Sequence, residues 1–402
     1  MERATRVTKR VRARWLNRGV AGIGVASFLS DVSHEVPTAL LPSLLTTTLG
    51  APAAALGTIE GIADGVAGAA KLAGGALADD PGRRRATAMG GYTATAILSA
   101  LIGAATAVWQ VGVLRATAWL SRGLRTPSRN ALLTDVVEPE VYGRAYGFER
   151  AMDNAGAIVG PLLALGLIAV VGVREAILLS VIPGLLAALA IFIAVRSARR
   201  LVRHERPPLR IRIRPVLHGR LGRLLGAVTA FELANVAATL LILRATDLLT
   251  PDRGHDSAVR LAVLLYAVYN AAAMVISVPA GHVTDRRGAT AVLVVGAFGA
   301  LAAFTGFAFA GSSVALLAAL FALSGTGKGA VETAQGAAVA LLAPQELLGS
   351  AFGALATIQS FANLAASAVG GALWTLVSPR TAFLYLAGWA AVSVVALAAA
   401  RR

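Results

Sequence analysis

The sequence predicts an all-α membrane protein with twelve transmembrane helices in two six-helix halves. Three observations support this fold class. Of the 402 residues, 56% are hydrophobic and only 14% are charged, too few polar residues to cover a soluble protein of this length. The charged residues cluster in short segments between long apolar runs, as a membrane topology requires. Two distant motifs recur at one fixed offset, which indicates an internal duplication.

Continuous apolar runs long enough to cross the hydrocarbon core define the elements in order. Helices suit these runs because backbone groups in lipid must form their hydrogen bonds internally. The predicted spans are 20–46, 55–78, 86–108, 111–133, 146–171, 175–196, 222–246, 259–283, 289–310, 314–342, 350–376 and 381–400. This order predicts an N-terminal half (1–196), a basic cytoplasmic linker (197–221) and a C-terminal half (222–402).

Lys and Arg residues are distributed unevenly between the two sides of this topology. The side with the N-terminal tail, the linker and the C-terminus carries 25 of them, whereas the opposite side carries four. Basic loops stay in the cytoplasm, so both termini are predicted to be cytoplasmic. The linker lacks the interleaved aromatic residues of a nucleic-acid site, and a basic anchor beside anionic lipid explains it. We therefore expect a multi-pass protein that is embedded in the lipid bilayer of the cell (inner or plasma) membrane. We expect it to be a monomer.

The duplication is visible in a loop that follows a long apolar run twice. GALADDPGRRR and GHVTDRRG share the frame Gly-x-(Leu or Val)-x-Asp-x-x-Gly. Three pairs of positions in this frame are each 206 residues apart: Gly75 and Gly281, Asp79 and Asp285, and Gly82 and Gly288. The segments EPEVYGRAYGF and APQELLGSAFG keep the same offset, which aligns Gly143 with Gly349 and Gly147 with Gly353.

This loop resembles motif A of the major facilitator superfamily. The first copy matches the motif at Gly75, Leu77, Asp79, Gly82, Arg83 and Arg84, and the second at Gly281, Asp285, Arg286, Arg287 and Gly288. Asp80 departs from the pattern, because a basic residue usually stands there. The resemblance covers nearly the whole chain and implies a facilitator-type transporter, but it says little about the substrate.

For the motif A loop we expect a mechanical role. Asp79 can pair with an arginine at the cytoplasmic end of span 4 or 5, such as Arg129 or Arg144. Such a latch would stabilise the outward-open state. The alternative is that Asp79 and Arg83 only fix the topology.

Ionisable residues inside the spans are candidates for function, because a charge in the bilayer is costly. Span 1 carries Asp31, His34 and Glu35 at spacings that place them on one helical face. The remaining candidates for proton coupling or substrate contact are Glu60, Asp64, Arg122, Arg125, Glu232, Lys328 and Glu332. Lys328 and Glu332 are four residues apart and can pair.

In the N-terminal half, the carboxylates among these candidates face a strip of arginines on span 4. A guanidinium can hold a carboxylate ionised and release it when the carboxylate protonates. This chemistry is that of a proton-coupled carrier, with Asp31 as the first candidate for the proton site and Glu35 as the next. A static charge network that fastens the helices together is the alternative.

Span 5 contains Gly147, Gly156, Gly160 and Pro161 in the order Gly-x8-Gly-x3-Gly-Pro. This spacing resembles motif C, which in the superfamily marks antiporters. The equivalent positions of the second half lack the Gly-Pro element. Motif B, an arginine element of span 4, is not matched, because Trp119 stands where its arginine would be. Because Arg122 lies about one turn from that position, we assign the proton-transfer role of motif B to Arg122.

The predicted function is secondary active transport, with proton-coupled export of small organic molecules by alternating access. An uptake symporter for an organic anion or nutrient is the alternative, since Arg122, Arg125 and Lys328 could bind an anion. A receptor that kept the fold would not need so many charges within the membrane. No metal-ligand cluster, nucleotide loop or nucleophile motif occurs, so we expect neither an enzyme nor a cofactor or metal.

Overall fold

The computed structural model describes residues 15–197, 211–236 and 238–399, and over these segments the chain is helical without strands. The α-helices are α1 (Arg18–Ser43), α2 (Ala53–Ala78), α3 (Pro81–Leu101), α4 (Val108–Val136), α5 (Tyr142–Val171), α6 (Val173–Leu179), α7 (Val181–Ser197), α8 (Gly219–Glu232), α9 (Ala238–Arg253), α10 (His255–Arg287), α11 (Ala289–Phe309), α12 (Val314–Leu342), α13 (Leu348–Leu376) and α14 (Pro379–Ala399). The predicted basic tail up to Arg14, most of the basic linker, and Arg401 and Arg402 lie outside the described residues.

Eight helical segments in the described part of the chain are long and apolar enough to cross a membrane. They coincide with predicted spans 3, 5, 6 and 8 to 12. The other four predicted spans coincide with α1, α2, α4 and the α8–α9 pair. Most of the Asp, Glu, His, Lys and Arg residues within the predicted spans lie in these four, which lowers their hydropathy. The twelve-span prediction is therefore consistent with the structure, and the spans that an apolar criterion misses are the polar ones.

Two predicted spans are interrupted helices. Span 6 consists of α6 and α7, which are separated at Ser180. Span 7 consists of α8 and α9, and the break between them begins directly after Glu232, at residues 233–236. In span 1, Pro37 and Pro42 lie inside α1, and a π-helical turn at Leu44–Thr48 continues it.

Helices α1–α7 pack mainly with one another, and α8–α14 do the same. We call them the N-terminal set and the C-terminal set. The sets meet along two main helix pairs, α2 with α13 and α5 with α10. These pairs correspond to each other under the 206-residue offset. The division of the chain at the linker stays a prediction.

The contact between the sets is tightest at the end of the bundle where α1 begins and α14 ends, which we call the closed end. There α13 is buried continuously from Leu348 to Ala356. A methyl group placed on Gly75 would lie 2.8 Å from the carbonyl oxygen of Gly349, so the two backbones touch. Nearer the opposite, open end, methyl groups placed on Gly57 or Gly61 of α2 would meet no heavy atom within 4 Å. The two sets therefore diverge towards the open end.

Candidate functional site

A cavity of about 490 Å³ lies between the two sets at the middle of the bundle. Residues of α2, α4 and α5 line it on one side, and α8, α12, α13 and the break after α8 line it on the other. Its basic lining residues are Lys71, Arg122, Arg125, Arg129, Arg150 and Lys328, and its acidic ones are Asp64, Asp153, Glu232 and Glu332. Six of the predicted candidates thus line one cavity. Asp31, Glu35 and Glu60 are not among its lining residues.

Asp31 lies behind the wall of the N-terminal set, in contact with two basic groups. Its Oδ1 is 2.8 Å from Nε2 of His34 and 3.6 Å from a terminal nitrogen of Arg122. The other ring nitrogen of His34 is 3.8 Å from Glu35. Asp31 and His34 are buried, whereas the side chain of Arg122 is 33% exposed. Arg122 therefore connects a buried carboxylate and imidazole to the cavity.

Trp119 lies between two arginines of the same helix. The guanidinium carbon of Arg115 is 3.4 Å from the centre of one Trp119 ring, and that of Arg122 is 5.5 Å away. Arg115 is fully buried and forms an ion pair of 2.9 Å with Glu60. The indole N–H of Trp119 donates to Asp64 at 2.9 Å. The tryptophan at the motif B position thus contacts Arg115 by its face and Asp64 by its edge.

Arg125 makes no ion pair with a described carboxylate. One terminal nitrogen donates to the hydroxyl of Ser30 at 2.7 Å, and the guanidinium stacks over Tyr92 at 3.8 Å. Its Nε and Nη1 are buried without a hydrogen-bond partner. Arg125 therefore faces an aromatic ring and a hydroxyl on its buried side.

A four-residue charge network joins α4 and α5 on the closed-end side of the cavity. Arg129 contacts Glu149 at 2.9 Å and Asp153 at 3.2 Å. Arg150 contacts the same two carboxylates, at 2.7 and 3.1 Å. Ser27 of α1 donates to Glu149 at 2.8 Å. Sequence reasoning missed Glu149, although its place beside Arg150 and four residues before Asp153 was an available signal.

The wall of the C-terminal set is rich in amides. Glu232, the last residue of α8, accepts hydrogen bonds from Asn235 at 2.9 Å and Gln359 at 3.4 Å. Asn363 donates to the backbone carbonyl of Asn235 within the helix break. Gln359 and Asn363, one turn apart on α13, were not singled out from the sequence, although such polar spacing in an apolar helix is a detectable signal.

Two lysines complete the lining. Nζ of Lys71 on α2 donates to the hydroxyl of Ser360 on α13 at 2.6 Å, across the two sets. Lys328 and Glu332 of α12 are 3.8 Å apart. Lys328 also lies 5.4 Å from the ring of Tyr269, which stacks with Tyr266.

The glycines of the motif C-like element pack against two different helices. A methyl group on Gly156 would lie 2.6 Å from the carbonyl of Phe28 and 2.8 Å from Cβ of Asp31, and one on Gly160 would overlap Cβ of Glu35. These two glycines therefore bring α5 against α1 at both predicted proton sites. Gly147 instead packs on the Ser277 carbonyl of α10. Pro161 follows Gly160 inside α5.

The packing of Gly147 has a counterpart in the other repeat. Gly353 packs on the Lys71 carbonyl of α2, and both residues of this pair are related to Gly147 and Ser277 by the 206-residue offset. Gly147 therefore belongs to the closed-end contact that the repeats share. Only the Gly156–Gly160 part of the element is specific to the N-terminal set.

The motif A aspartates bridge the two sets at the closed end. Asp79 accepts hydrogen bonds from the backbone N–H and the hydroxyl of Ser350, at 2.8 and 2.5 Å. Burial raises the pKa of the Asp79 carboxyl, and the hydrogen bonds from Ser350 oppose that rise. The expectation that Asp79 pairs with Arg129 or Arg144 is wrong, because α2 ends against the first turn of α13 rather than beside these arginines.

Arg144 pairs with the second motif A aspartate instead. Its Nε donates to Asp285 at 2.7 Å, and the backbone N–H groups of Gly143 and Arg144 donate to the same carboxylate at 2.6 and 3.2 Å. Asp285 thus binds the start of α5 as Asp79 binds the start of α13. Arg286 and Arg287 form the last turn of α10, and Gly288 ends it with φ of 85°.

The remaining motif A residues form the corner between α2 and α3. Asp80, which departs from the family pattern, caps α3 by accepting from the N–H groups of Gly82 and Arg83 at 2.7 and 3.2 Å. Arg84 is buried and pairs with Asp135 at the end of α4 at 2.7 Å. The motif therefore also ties the N-terminal set together. Within the described residues, no group of three or more His, Asp or Glu side chains is arranged to hold a metal ion.

The major facilitator superfamily model matches the chain at residues 23–251 and 227–402. An uncharacterized MFS-type transporter of Methanocaldococcus jannaschii is 27% identical over 376 residues, which are 92% of each chain. The human organic anion transporter MFSD10 (TETRAN) has a TM-score of 0.72 at 16% identity, over 94% of this chain and 99% of its own. A bacterial homologue of the iron transporter ferroportin, in an outward-facing state, also scores 0.72 at 16% identity, over 96% and 98%.

These two solved structures share the fold of this chain, and at such low identity they carry no more than the fold. The family model is more informative, because its two matches together cover the chain from residue 23 to its last residue. The repeated motif A loops lie inside these matches. The chain therefore belongs to the major facilitator superfamily.

Proposed function

We propose that the chain is a proton-coupled secondary transporter that exports small organic molecules by alternating access. Family membership supports secondary transport. Proton coupling is supported by the position of Asp31, which contacts His34 at 2.8 Å and lies 3.6 Å from Arg122 at the cavity wall. Export is supported by Gly156 and Gly160, whose antiporter-like spacing seats α5 against α1 beside Asp31 and Glu35.

The coupling step follows from the change in charge at Asp31. While ionised, the carboxylate attracts Arg122 and holds it towards the wall. Protonation removes that attraction, so Arg122 turns towards the cavity and makes it more positive. A cationic substrate then binds less well to the protonated carrier, which is the sign of coupling that an antiporter needs. Glu35, which lies 3.8 Å from His34, is the next candidate for the proton site.

Alternating access is rocking of residues 1–196 against 222–402 about the cavity, and the substrate stays near the membrane midplane. With both termini in the cytoplasm of the cell, the closed end is cytoplasmic and the conformation is outward-open. The Asp79 and Asp285 contacts then form the cytoplasmic latch. The protein works as a monomer in this scheme, because the cavity is built from one chain.

Proton flux in proteoliposomes tests this function. A panel of candidate substrates is added to wild type and Asp31→Asn while internal pH is followed, with Asp252→Asn, an exposed acid near the open end, as the matched control. Substrate-evoked proton movement that is lost only in Asp31→Asn supports the proposal. Movement that survives transfers the role to Glu35, Asp64 or Glu232. Labelled substrate that crosses without any proton movement refutes the coupling.

A second candidate is an uptake symporter for an organic anion. The observation in its favour is the lining of the cavity, where six basic residues face four acidic ones. The same change at Asp31 gives the opposite coupling for an anion, because the protonated carrier binds it more tightly. The direction of substrate movement under an imposed pH gradient separates the two candidates.

A further inference from the structure

Five of the ten charged residues that line the cavity are neutralised by a neighbour. Arg129 and Arg150 share the carboxylates of Glu149 and Asp153. Lys328 lies 3.8 Å from Glu332. Such pairs have little need of a further partner, so they do not determine which ligand fits. The cavity residues without a close partner of opposite charge are the informative ones.

Two such basic groups belong to the N-terminal set. The hydrogen bond that Lys71 makes goes to a hydroxyl, that of Ser360, and none of the described carboxylates lies within 4 Å of its ammonium group. Arg122 lies 3.6 Å from Asp31, too far for a good hydrogen bond, and a third of its side chain is exposed. Both groups have N–H donors to spare, because an ammonium carries three and a guanidinium five. Arg125, in the same wall, has two further buried nitrogens without acceptors.

On the opposite wall, a buried carboxylate lacks a positively charged partner. Glu232 is 2% exposed, and its partners are amides rather than a Lys or Arg of the described residues. Gln335 of α12 lies near Glu232, and its Oε1 is buried without a donor. A buried carboxylate and an unpaired carbonyl oxygen side by side are stabilised by a group that carries several N–H donors and a positive charge.

We propose that the cavity binds a small zwitterion, whose anionic group lies at Lys71 and Arg122 and whose ammonium group lies at Glu232 and Gln335. A purely anionic ligand leaves Glu232 without a cation, and a purely cationic one leaves Lys71 and Arg122 without an anion. Asp64 keeps its charge, because the indole N–H of Trp119 is a neutral donor, but Lys71 and Arg122 in the same wall outnumber it. The ligand bridges the two sets, so both must approach it for full affinity.

This inference rests on the cavity being the transport site of the proposed function. Because the anionic group of the ligand lies at Arg122, release of Arg122 by protonation of Asp31 tightens binding, so a zwitterionic substrate favours the uptake candidate. Binding to the purified full-length protein is measured by calorimetry for glycine, diglycine, 6-aminohexanoate and triglycine, which separate their charges by increasing distances. Each is compared with its N-acetyl derivative, which keeps only the negative charge, and its carboxamide, which keeps only the positive one. We expect at least one zwitterion to bind about tenfold more tightly than both of its derivatives.

Two isosteric or near-isosteric variants assign the ends of the ligand. Glu232→Gln lowers the affinity for the zwitterion to that of its N-acetyl derivative, and Lys71→Met lowers it to that of its carboxamide. Glu346→Gln, an exposed acid at the closed end, keeps the wild-type preference and is the matched control. The midpoint of thermal unfolding is measured for each variant, so that loss of fold is not read as loss of a subsite.

The outcomes separate this inference from the proposed function. If every zwitterion binds no better than its N-acetyl derivative, or if none binds, the inference is overturned, whatever the proton assay gives. If the preference survives in Glu232→Gln, the ammonium subsite is refuted. A zwitterion that binds as expected but evokes no proton movement refutes the coupling at Asp31 and leaves the inference standing.

Discussion

Asp79 binds the backbone N–H and the hydroxyl of Ser350 with its two carboxylate oxygens, and so joins the end of α2 to the first turn of α13. The first N–H groups of a helix have no partner within the helix, and the helix dipole favours a negative charge there. Asp285 makes the equivalent contact with the first turn of α5. The duplicated motif therefore produces two matched contacts, which hold the two sets together at one end.

We expect Asp79→Asn to weaken the closed end, because the amide has one acceptor oxygen and no charge to offer to Ser350. The loss is about 1–3 kcal/mol, the usual range for hydrogen bonds to a charged group. The chain has no cysteine, so a single cysteine in place of Ala351, which is fully buried in α13, reports opening. An impermeant maleimide added at the closed end should label it several-fold faster in Asp79→Asn.

Asp252→Asn is the matched control for this experiment, because Asp252 is exposed near the open end. Transport should fall in Asp79→Asn while membrane insertion stays normal. Unchanged labelling together with unchanged transport would mean that the contact fixes topology and does not act as a latch.

The sequence predicts features that depend on the spacing of residues along one helix or on the internal repeat. Apolar runs defined the helices, and the spacing of three or four residues brought Asp31 to His34 and Lys328 near Glu332. The repeat also predicted which positions are equivalent. Each of these depends on periodicity along one helix or on comparison of the chain with itself.

Contacts between distant segments were not accessible in this way. Asp79 and Ser350 are 271 residues apart, and their pairing depends on how α2 meets α13. The sequence has no proline or glycine at residues 233–237 that would predict the break after Glu232. The amide cluster at Glu232 exists because this break turns Asn235 towards Gln359 and Asn363 on another helix. Packing decides such partners, and one sequence does not encode them in a readable pattern.

We expect Gly156→Ala to push α5 away from α1. The added methyl group would lie 2.6 Å from the Phe28 carbonyl, which is backbone and cannot rotate away. Overpacking of this kind costs about 1–3 kcal/mol, and it displaces Asp31. Gly166→Ala, in the same helix with no atom within 4 Å, is the matched control and should unfold at or above the wild-type temperature.

Thermal unfolding in detergent measures the stability of both alanine variants, and the pH dependence of transport reports on Asp31. If Gly156→Ala matches Gly166→Ala in both measurements, the close approach of α5 to α1 has no consequence for stability or coupling.

Trp119→Phe and Trp119→Ala separate the two contacts of this tryptophan. Phenylalanine keeps a ring face for Arg115 but loses the N–H that donates to Asp64, so we expect a loss of about 1 kcal/mol. Alanine also loses the face and leaves a cavity, which costs about 3–5 kcal/mol. Denaturant unfolding measures the difference. Equal losses for both variants would mean that the bond to Asp64 dominates and that the stacking of Arg115 contributes nothing.

The network around Glu149 should behave as one coupled unit. Glu149 is 1% exposed and accepts hydrogen bonds from Ser27, and its carboxylate is paired with Arg129 and Arg150. In Glu149→Gln the two arginines share Asp153 as their remaining described carboxylate, so we expect a loss of about 3–5 kcal/mol. Removing the charge of Arg129 as well lowers the excess of buried positive charge. The double variant Arg129→Gln/Glu149→Gln should therefore be more stable than the sum of the single losses predicts.

Unfolding of the four proteins of this cycle in detergent measures the coupling energy between the two residues. Glu346→Gln, whose acid is exposed, should stay within about 0.5 kcal/mol of wild type and shows that the cost belongs to the buried position. Strict additivity of the two single changes would contradict the coupling, because it would mean that Arg129 does not depend on Glu149. A coupling energy of 1 kcal/mol or more would instead show that α4 and α5 are held together through this pair.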